Sequence, residues 1–485
     1  MLAVLLVPFV GCAPQQKSET PAARPLAGVE LNLLIVDDEA LARSVTLLHG
    51  QWEEETGSKL HVTQISEPDL AQQSANGKLA GDAVIYAPRL LGTLATAGAI
   101  QPIAASSLQD PELDWADVFE LIKTREVTWG IDVDAIPLGS PVLLCCYRED
   151  LLRESGLKPP RTWQEYQEVA AKMAVPSGRP ATENADGGTA DGEKSGNWSG
   201  TIEPLSRGWA GLTLLARAAA YARHANHYST LFNMQTMEPL VASPPFVRAL
   251  EELRAANRLS SGASQKASPT DAWQALITNR TGMALCWPNT AAPASGGNEP
   301  ERSADVLEIG CVEIPGAVDV YNASSTAWER RAGGAARVPV LGMAGRMGSI
   351  LKNSKYPQAA FKLLAWLASH KWNERAVASS AGTAPFRTSQ AASPEAWSRG
   401  LRVGEAKQYG AAVAATLSSP DCLVVPRIPG AARYLQALDD AVQLALEEQA
   451  SPDEALRSAA EQFRAITAEL GLERQRDAYQ RSLGL

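Results

Sequence analysis

The sequence predicts an α/β protein, and three observations carry that expectation. Short apolar runs alternate with amphipathic stretches from Val29 onward, at a spacing that suits βαβ units and a largely parallel sheet. Helix starts are marked by capping chemistry at two places, Thr162 and Ser451. The chain has 485 residues, more than one ordinary core serves, so the mass divides into two or three domain-sized parts.

Residues 31–36 read as a strand, 40–56 as a helix and 59–65 as a second strand. A third short strand spans 82–86, a helix opens at 90–97, and 138–147 gives a further strand. Pro159-Pro160 leads into Thr162-Trp163-Gln164-Glu165, where the Thr hydroxyl can cap a backbone N–H and Glu165 can reach back. Ser451-Pro452-Asp453-Glu454 repeats that logic with Pro at the first helical position. From Gly430 to Gln480 the chain reads as mainly helical, ending in a helical hairpin. Two stretches rich in Gly, Ala, Ser and acids, 177–200 and 288–303, read as surface insertions.

Composition excludes several classes. Hydrophobic residues at 45% and charged residues at 20% are globular rather than disordered proportions. A net charge of −10 is the wrong sign for a nucleic-acid partner. No apolar run reaches the roughly 18 residues a bilayer span needs.

The N-terminal residues speak to compartment. Leu2 to Val10 are almost wholly apolar and suit the apolar part of a secretory signal. The ending Phe9-Val10-Gly11-Cys12 resembles a bacterial lipoprotein processing box, which makes Cys12 the lipidation site and residues 13–28 a flexible tether. Phe9 stands where Leu is usual, and no Lys or Arg precedes the run, which points to a start upstream. With Cys12 lipidated, Cys145, Cys146, Cys286, Cys311 and Cys422 remain, an odd set that does not form a disulfide framework. Cys145 and Cys146 read as small buried hydrophobes, and with no CxxC spacing a structural zinc is unsupported.

Three patterns mislead. Leu33 to Glu39 looks like the opening of a phospho-accepting receiver domain, but Asp82 precedes its strand and Ala87 stands where the acceptor belongs. Gly187 and Gly192 have phosphate-loop spacing, but Glu193 replaces the required Lys. His224 and His227 are three apart on a predicted helix with no third ligand, so surface or partly buried histidines are the better reading. No G-x-S-x-G or H-E-x-x-H occurs, and enzyme chemistry has no handle.

Several segments in order resemble the family of extracellular solute-binding proteins that feed sugar-type ABC importers, the maltodextrin-binding-protein-like group. They are 31–67, with Asp37-Asp38 and Gln51 to Gly57; Gly81 to Ala87 leading to Leu94 through Ile103; and Pro137 through Leu152 with Pro159 to Tyr166. Gly282 to Trp287, Val338 to Gly342, Pro357 to Leu364, and the Ser451 box with Ala455-Leu456 follow. The resemblance implies a two-lobed periplasmic-binding-protein fold of type II kind, its lobes joined by crossover strands and closing by hinge motion around a ligand. The implied division is a signal and tether at 1–28, a first lobe of 29–138 plus 341–388, and a second of 139–340 plus 389–485 with the C-terminal helices. It implies no catalysis, cofactor or metal. Its partners would be a small sugar or related polyol, importer permease subunits and, through the lipid, a membrane. The expected protein is an extracytoplasmic, membrane-anchored monomer.

A sugar offers apolar C–H faces and a rim of hydroxyls, so its site needs aromatic plates and fixed carboxylates or amides. Loops after strand C-termini collect ligands in α/β sheets. Asp37 and Asp38 stand at one such loop, Tyr86 and Arg89 at the next. Asp37 also suits the cap of the following helix, which leaves Asp38 as the better contact. Tyr86 and Trp287 occupy places where the family has stacking aromatics. Trp209 and Tyr434 are further aromatic candidates, equally suited to a core, and Ser140 on the crossing offers backbone and hydroxyl contacts. Trp163 and Asp82 are assigned to structure. Pro141 stands where maltodextrin binders have an acid, so a malto-oligosaccharide is not implied. A ligand sensor that partners a membrane signalling protein is the alternative, followed by an exported carbohydrate-active enzyme.

Overall fold

The computed structural model describes residues 24–174, 198–288, 307–398 and 400–485. Cys12 and nearly all of both insertions lie outside the described residues.

Two separate mixed sheets organise the chain. In the first, strand Glu30–Val36 is flanked by parallel strands Lys59–Ile65 and Ala83–Tyr86. Arg346–Leu351 returns from far along the chain to pair antiparallel with Ala83–Tyr86, and Ile100–Gln101 and Ile136–Gly139 also pair with it. The second sheet runs Ile309–Glu313, Leu144–Arg148, Thr281–Cys286, Ser199–Ile202. Its only parallel pair is the last one. The largely parallel sheet expected from the alternation is thus confined to three strands of the first lobe. Arg346–Leu351, the strand that returns to the first sheet late in the chain, pairs antiparallel with all three of its partners.

The apolar run 138–147 is not one strand. Ile136–Gly139 belongs to the first sheet and Leu144–Arg148 to the second, and the residues between them cross from lobe to lobe. Pro141 has no N–H to give a ladder, so the run breaks there. Later, Val340–Leu341 pairs in parallel with Leu423–Val424, giving the hinge a two-stranded ribbon.

Helices begin where capping residues satisfy free N–H groups. The Thr162 hydroxyl accepts from Glu165 N at 3.1 Å, and Glu165 reaches back to Arg161 N at 2.6 Å. Ser451 and Glu454 form the reciprocal box that starts Pro452–Leu470. The C-terminal part holds three helices rather than a simple hairpin, Ala431–Leu446, Pro452–Leu470 and Leu472–Ser482. The cysteines Cys145, Cys146, Cys286, Cys311 and Cys422 are buried and free. Their burial raises each thiol pKa and keeps them as inert core.

Candidate functional site

The C-terminal edge of the first sheet forms one wall. Asp37 follows its strand with φ 45°, which turns it outward, and its Oδ2 accepts from Glu67 N at 2.9 Å. Asp38 is the residue that caps helix Glu39–Thr56, through Leu41 N at 3.0 Å. Its other oxygen accepts from Arg346 Nε at 2.7 Å and from Ser380 Oγ. The capping role that the sequence offers to Asp37 therefore belongs to Asp38, and Asp37 is the exposed one of the two. The cap must immediately precede the first helical residue, and that is Asp38, now 7% exposed with both oxygens engaged. Arg89 sits half-buried and donates to the Glu67 carboxylate, so Glu67 links Arg89 and Asp37 along the edge.

The second wall is built at the ends of Thr281–Cys286 and Ser199–Ile202. Trp287 is one residue past its strand and is itself only 2% exposed, while Trp209, partly exposed, opens helix Ala210–Ala222 and presents the ring that solvent reaches. Their ring centroids are 5.7 Å apart with planes at 58°. The Trp287 Nε1 donates to Ala381 O at 3.3 Å. Ala381 adjoins Ser380, so one loop receives the Trp287 indole on one side and bonds Asp38 on the other. Gly382 lets that loop lie on Arg346, since a Cβ there would come within 2.7 Å of Nη1.

Three other expected contacts belong to the interior. Tyr86 is fully buried and its hydroxyl bonds Ser349 Oγ at 2.6 Å, because the last in-register residue of the strand faces the core, opposite Met347. Tyr434 is also fully buried, ringed by Phe232 and Phe463, with its hydroxyl on Thr467 Oγ1 at 2.9 Å. It lies on the helix face that carries Leu438 and Val442 into the core. Ser140 is 2% exposed, and its hydroxyl donates to Glu126 while its N–H donates to Ala384 O. Neither is open to a ligand. Conversely, Arg346 and Ser380, which bond Asp38 at this edge, carry no local signal of that meeting in the sequence. Gly342 (φ 76°) and Gly345 (φ 124°), immediately before Arg346, mark only a close backbone approach there.

The expected structural roles of Trp163 and Asp82 hold, with Trp163 stacked under Arg217 at 4.0 Å and Asp82 accepting from Asn32 N at 2.9 Å. His224 faces Glu329 and His227 faces Asn322 and Ala323, so both brace the Asp319–Asn322 hairpin. One cluster of metal-ligand type occurs among the described residues, Asp114, Asp117 and His370. Asp117 there is taken by Thr388 and Ser389, with Arg387 at 4.0 Å, which is the chemistry of a loop anchor.

Behind the cleft the crossings share a buried polar cluster. Arg427, just after the ribbon, donates to the backbone oxygens of Glu126 at 2.6 Å and Ser482 at 2.8 Å. Burial pushes the Glu126 carboxyl from its ordinary 4.5 up to about 7, against the opposing pull of Ser140 and Arg427. Burial, then Asp132, drives Asp134 up to about 7 as well. Between about 4.5 and about 7 the folded state keeps the Glu126 proton that the unfolded chain loses. Stability therefore falls as pH rises through that window. Glu126→Gln, which still accepts from Ser140, is expected to flatten the decline of melting temperature with pH and to raise it at neutral pH. Parallel curves for the two proteins would remove Glu126 from this role.

The fold, two sheets joined by chain crossings, is what known proteins share with this chain. Residues 49–402 match the bacterial extracellular solute-binding protein family. The chain belongs to that family. Similar solved structures include an ABC transporter solute-binding protein from Agrobacterium radiobacter K84 in complex with ribitol, at 19% identity and a TM-score of 0.65, covering 91% of this chain and 100% of the other. The sugar-binding protein MalE from Xanthomonas citri is 17% identical, with a TM-score of 0.64, over 91% and 98% of the two chains. Maltose-bound MalE3 of T. maritima is 16% identical, with a TM-score of 0.60, over 90% and 100%. No curated protein matches the sequence at a significant level. This solute-binding protein thus has the two-lobed α/β periplasmic-binding fold, and its family binds solutes rather than transforming them.

Proposed function

We propose that this solute-binding protein is a lipid-anchored extracytoplasmic receptor, tethered through Cys12, that captures a small sugar or polyol between its lobes and presents it to an ABC importer. The lobes would divide as 29–138 plus 341–388 and 139–340 plus 389–485. The observation that carries the reading is the Trp287–Trp209 pair set against the Ser380–Ala381 loop of the opposite lobe. Trp209 offers a half-exposed ring for a C–H face, and Arg346, whose Nη2 has no acceptor among the described residues, offers a fixed donor for hydroxyls. Similar structures holding ribitol and maltose support the ligand class.

A thermal-shift screen with ribitol, D-mannitol, maltose and related neutral sugars tests it. At a hundredfold excess over Kd, a ligand that binds only the native state adds about 2.7 kcal/mol, a shift of about 2–3 degrees for a chain of this length. A folded protein whose melting temperature answers to none of a broad panel would count against solute capture of this class.

A further inference from the structure

We propose that Cys146 and Cys311 form a covalent modification site: on the folding chain they are joined into a disulfide that staples the edge strand of the second sheet to its neighbour. The two residues are paired directly across the antiparallel strands Leu144–Arg148 and Ile309–Glu313. In such a ladder, pairs that exchange backbone hydrogen bonds alternate with pairs that do not, and the side chains of the second kind stand closer. The strand end fixes the phase, since Glu149 N donates to Glu308 O at 2.8 Å. One residue back, Arg148 and Ile309 exchange no bond; Tyr147 and Gly310 do, and Cys146 and Cys311 again do not. Ile309 agrees, because its N–H turns away from the ladder to Glu405 Oε1 at 2.9 Å. The two thiol sulfurs accordingly meet, 2.7 Å apart. The Cα separation of an unbonded pair, ~4.5 Å, lies inside the span a disulfide bridges.

The other thiols of this sheet are placed less well. Cys286 approaches Cys146 from the opposite flank, but the residue paired with Cys146 there is Ala284, so Cys286 is a diagonal neighbour. Diagonal neighbours stand roughly 7–8 Å apart, beyond the usual disulfide span. Cys145 points to the other face of the sheet. Cys311 is therefore the partner, and Cys286 stays a thiol.

The setting is that of an extracellular family, where disulfides form and persist. The oxidant is a disulfide of another molecule, RSSR. The Cys146 thiolate attacks one of its sulfurs, that S–S bond breaks and one RS⁻ leaves. The Cys311 thiolate then attacks the Cys146 sulfur of the mixed disulfide and displaces the second RS⁻. The two cysteines lose two electrons, RSSR gains them, and the two protons end on two RSH. In the finished fold both thiols are buried, and burial holds each pKa well above its ordinary value. The exchange therefore precedes closure of the core, and chain order provides the interval. Ile309–Glu313 is an edge strand, and the helix that packs on it, Val403–Leu417, is made much later. Tyr409 of that helix lies beside both sulfurs and is fully buried. Once the helix docks, the bond is sealed from reductants.

The test uses the whole chain with Cys12→Ser, which leaves the five core thiols. It is unfolded in urea and refolded either with oxidised and reduced glutathione or with a phosphine reductant, then unfolded again and alkylated. The glutathione sample is expected to show two fewer alkylated thiols. Peptide mapping in a Cys145→Ala background, which separates the adjacent cysteines, is expected to find Cys146 bonded to Cys311. The oxidised protein is expected to melt about 3–5 °C above the reduced one. Cys311→Ala is expected to abolish both differences, and Cys286→Ala to keep them. Thiol counts and maps are read on unfolded chains, so they stand even for a variant that folds poorly, and they require no knowledge of the cleft ligand. Equal thiol counts after the two treatments, a map that joins Cys146 to Cys286, a bond that survives Cys311→Ala, or equal melting temperatures would each overturn the proposal.

Discussion

Replacing Trp287 with alanine is expected to weaken capture of the cleft ligand by roughly ten- to a hundredfold, the worth of one well-buried aromatic contact. The residue does two things in one place. Its ring steadies Trp209, 5.7 Å away, and its indole N–H reaches Ala381 on the other lobe. Trp287→Phe separates them, since it keeps a ring but donates nothing. The phenylalanine variant is expected to bind within a fewfold of the native protein while releasing ligand faster, because the lost bond is one that joins the lobes. Calorimetric titration and stopped-flow release with the ligand found by thermal shift provide both readings. Native affinity in the alanine variant would take Trp287 out of the site.

The second large effect is on stability. Glu203, just past strand Ser199–Ile202, pairs with Arg217 of helix Ala210–Ala222, and both are almost fully buried. The guanidinium lies 4.0 Å over the Trp163 ring. This pair fastens the helix that begins at Trp209 to the sheet behind it, so it also holds the second cleft wall. Arg217→Met strands a buried carboxylate and is expected to cost about 3–5 kcal/mol in urea unfolding. The pair is itself under-satisfied, since Arg217 Nε and Nη1 and Glu203 Oε2 lack hydrogen-bond partners. Removing both charges as Arg217→Met with Glu203→Leu is therefore expected to recover most of that loss. A single variant as stable as the native protein would show that the ion pair has no such role.

The layout of strands and helices was legible because hydrophobic period and capping chemistry are local. Thr162 and Ser451 announced their helices, and strand Lys59–Ile65 was read to the residue. The site was only partly legible. Tyr86 and Trp287 both end apolar runs and both are buried, but Tyr86, the last paired residue of its strand, meets Ser349, while Trp287, one residue beyond pairing, meets Trp209 and the Ala381 loop. That single step past the ladder decides which element a ring meets, and the period of the strand does not report it. The Asp37–Asp38 order turned on an equally small matter, where the helix begins. Arg346 and Ser380 were out of reach because their bonds to Asp38 span 308 and 342 residues. No local pattern encodes such a meeting; only the re-entry of the chain into the first lobe does.

The backbone oxygens near residue 482 have a kinetic consequence. Arg481 O accepts from Gly130 N, Ser482 O from Arg427, and Leu483 O from Tyr228. Gly130 precedes the first crossing and Tyr228 follows it, and the acceptors are translated after every strand of both sheets. Each body can condense on its own schedule during synthesis, and this late turn adds a further tie between them once it docks. A refolding experiment is accordingly expected to show native-like sheet signal in each half before ligand-binding competence returns.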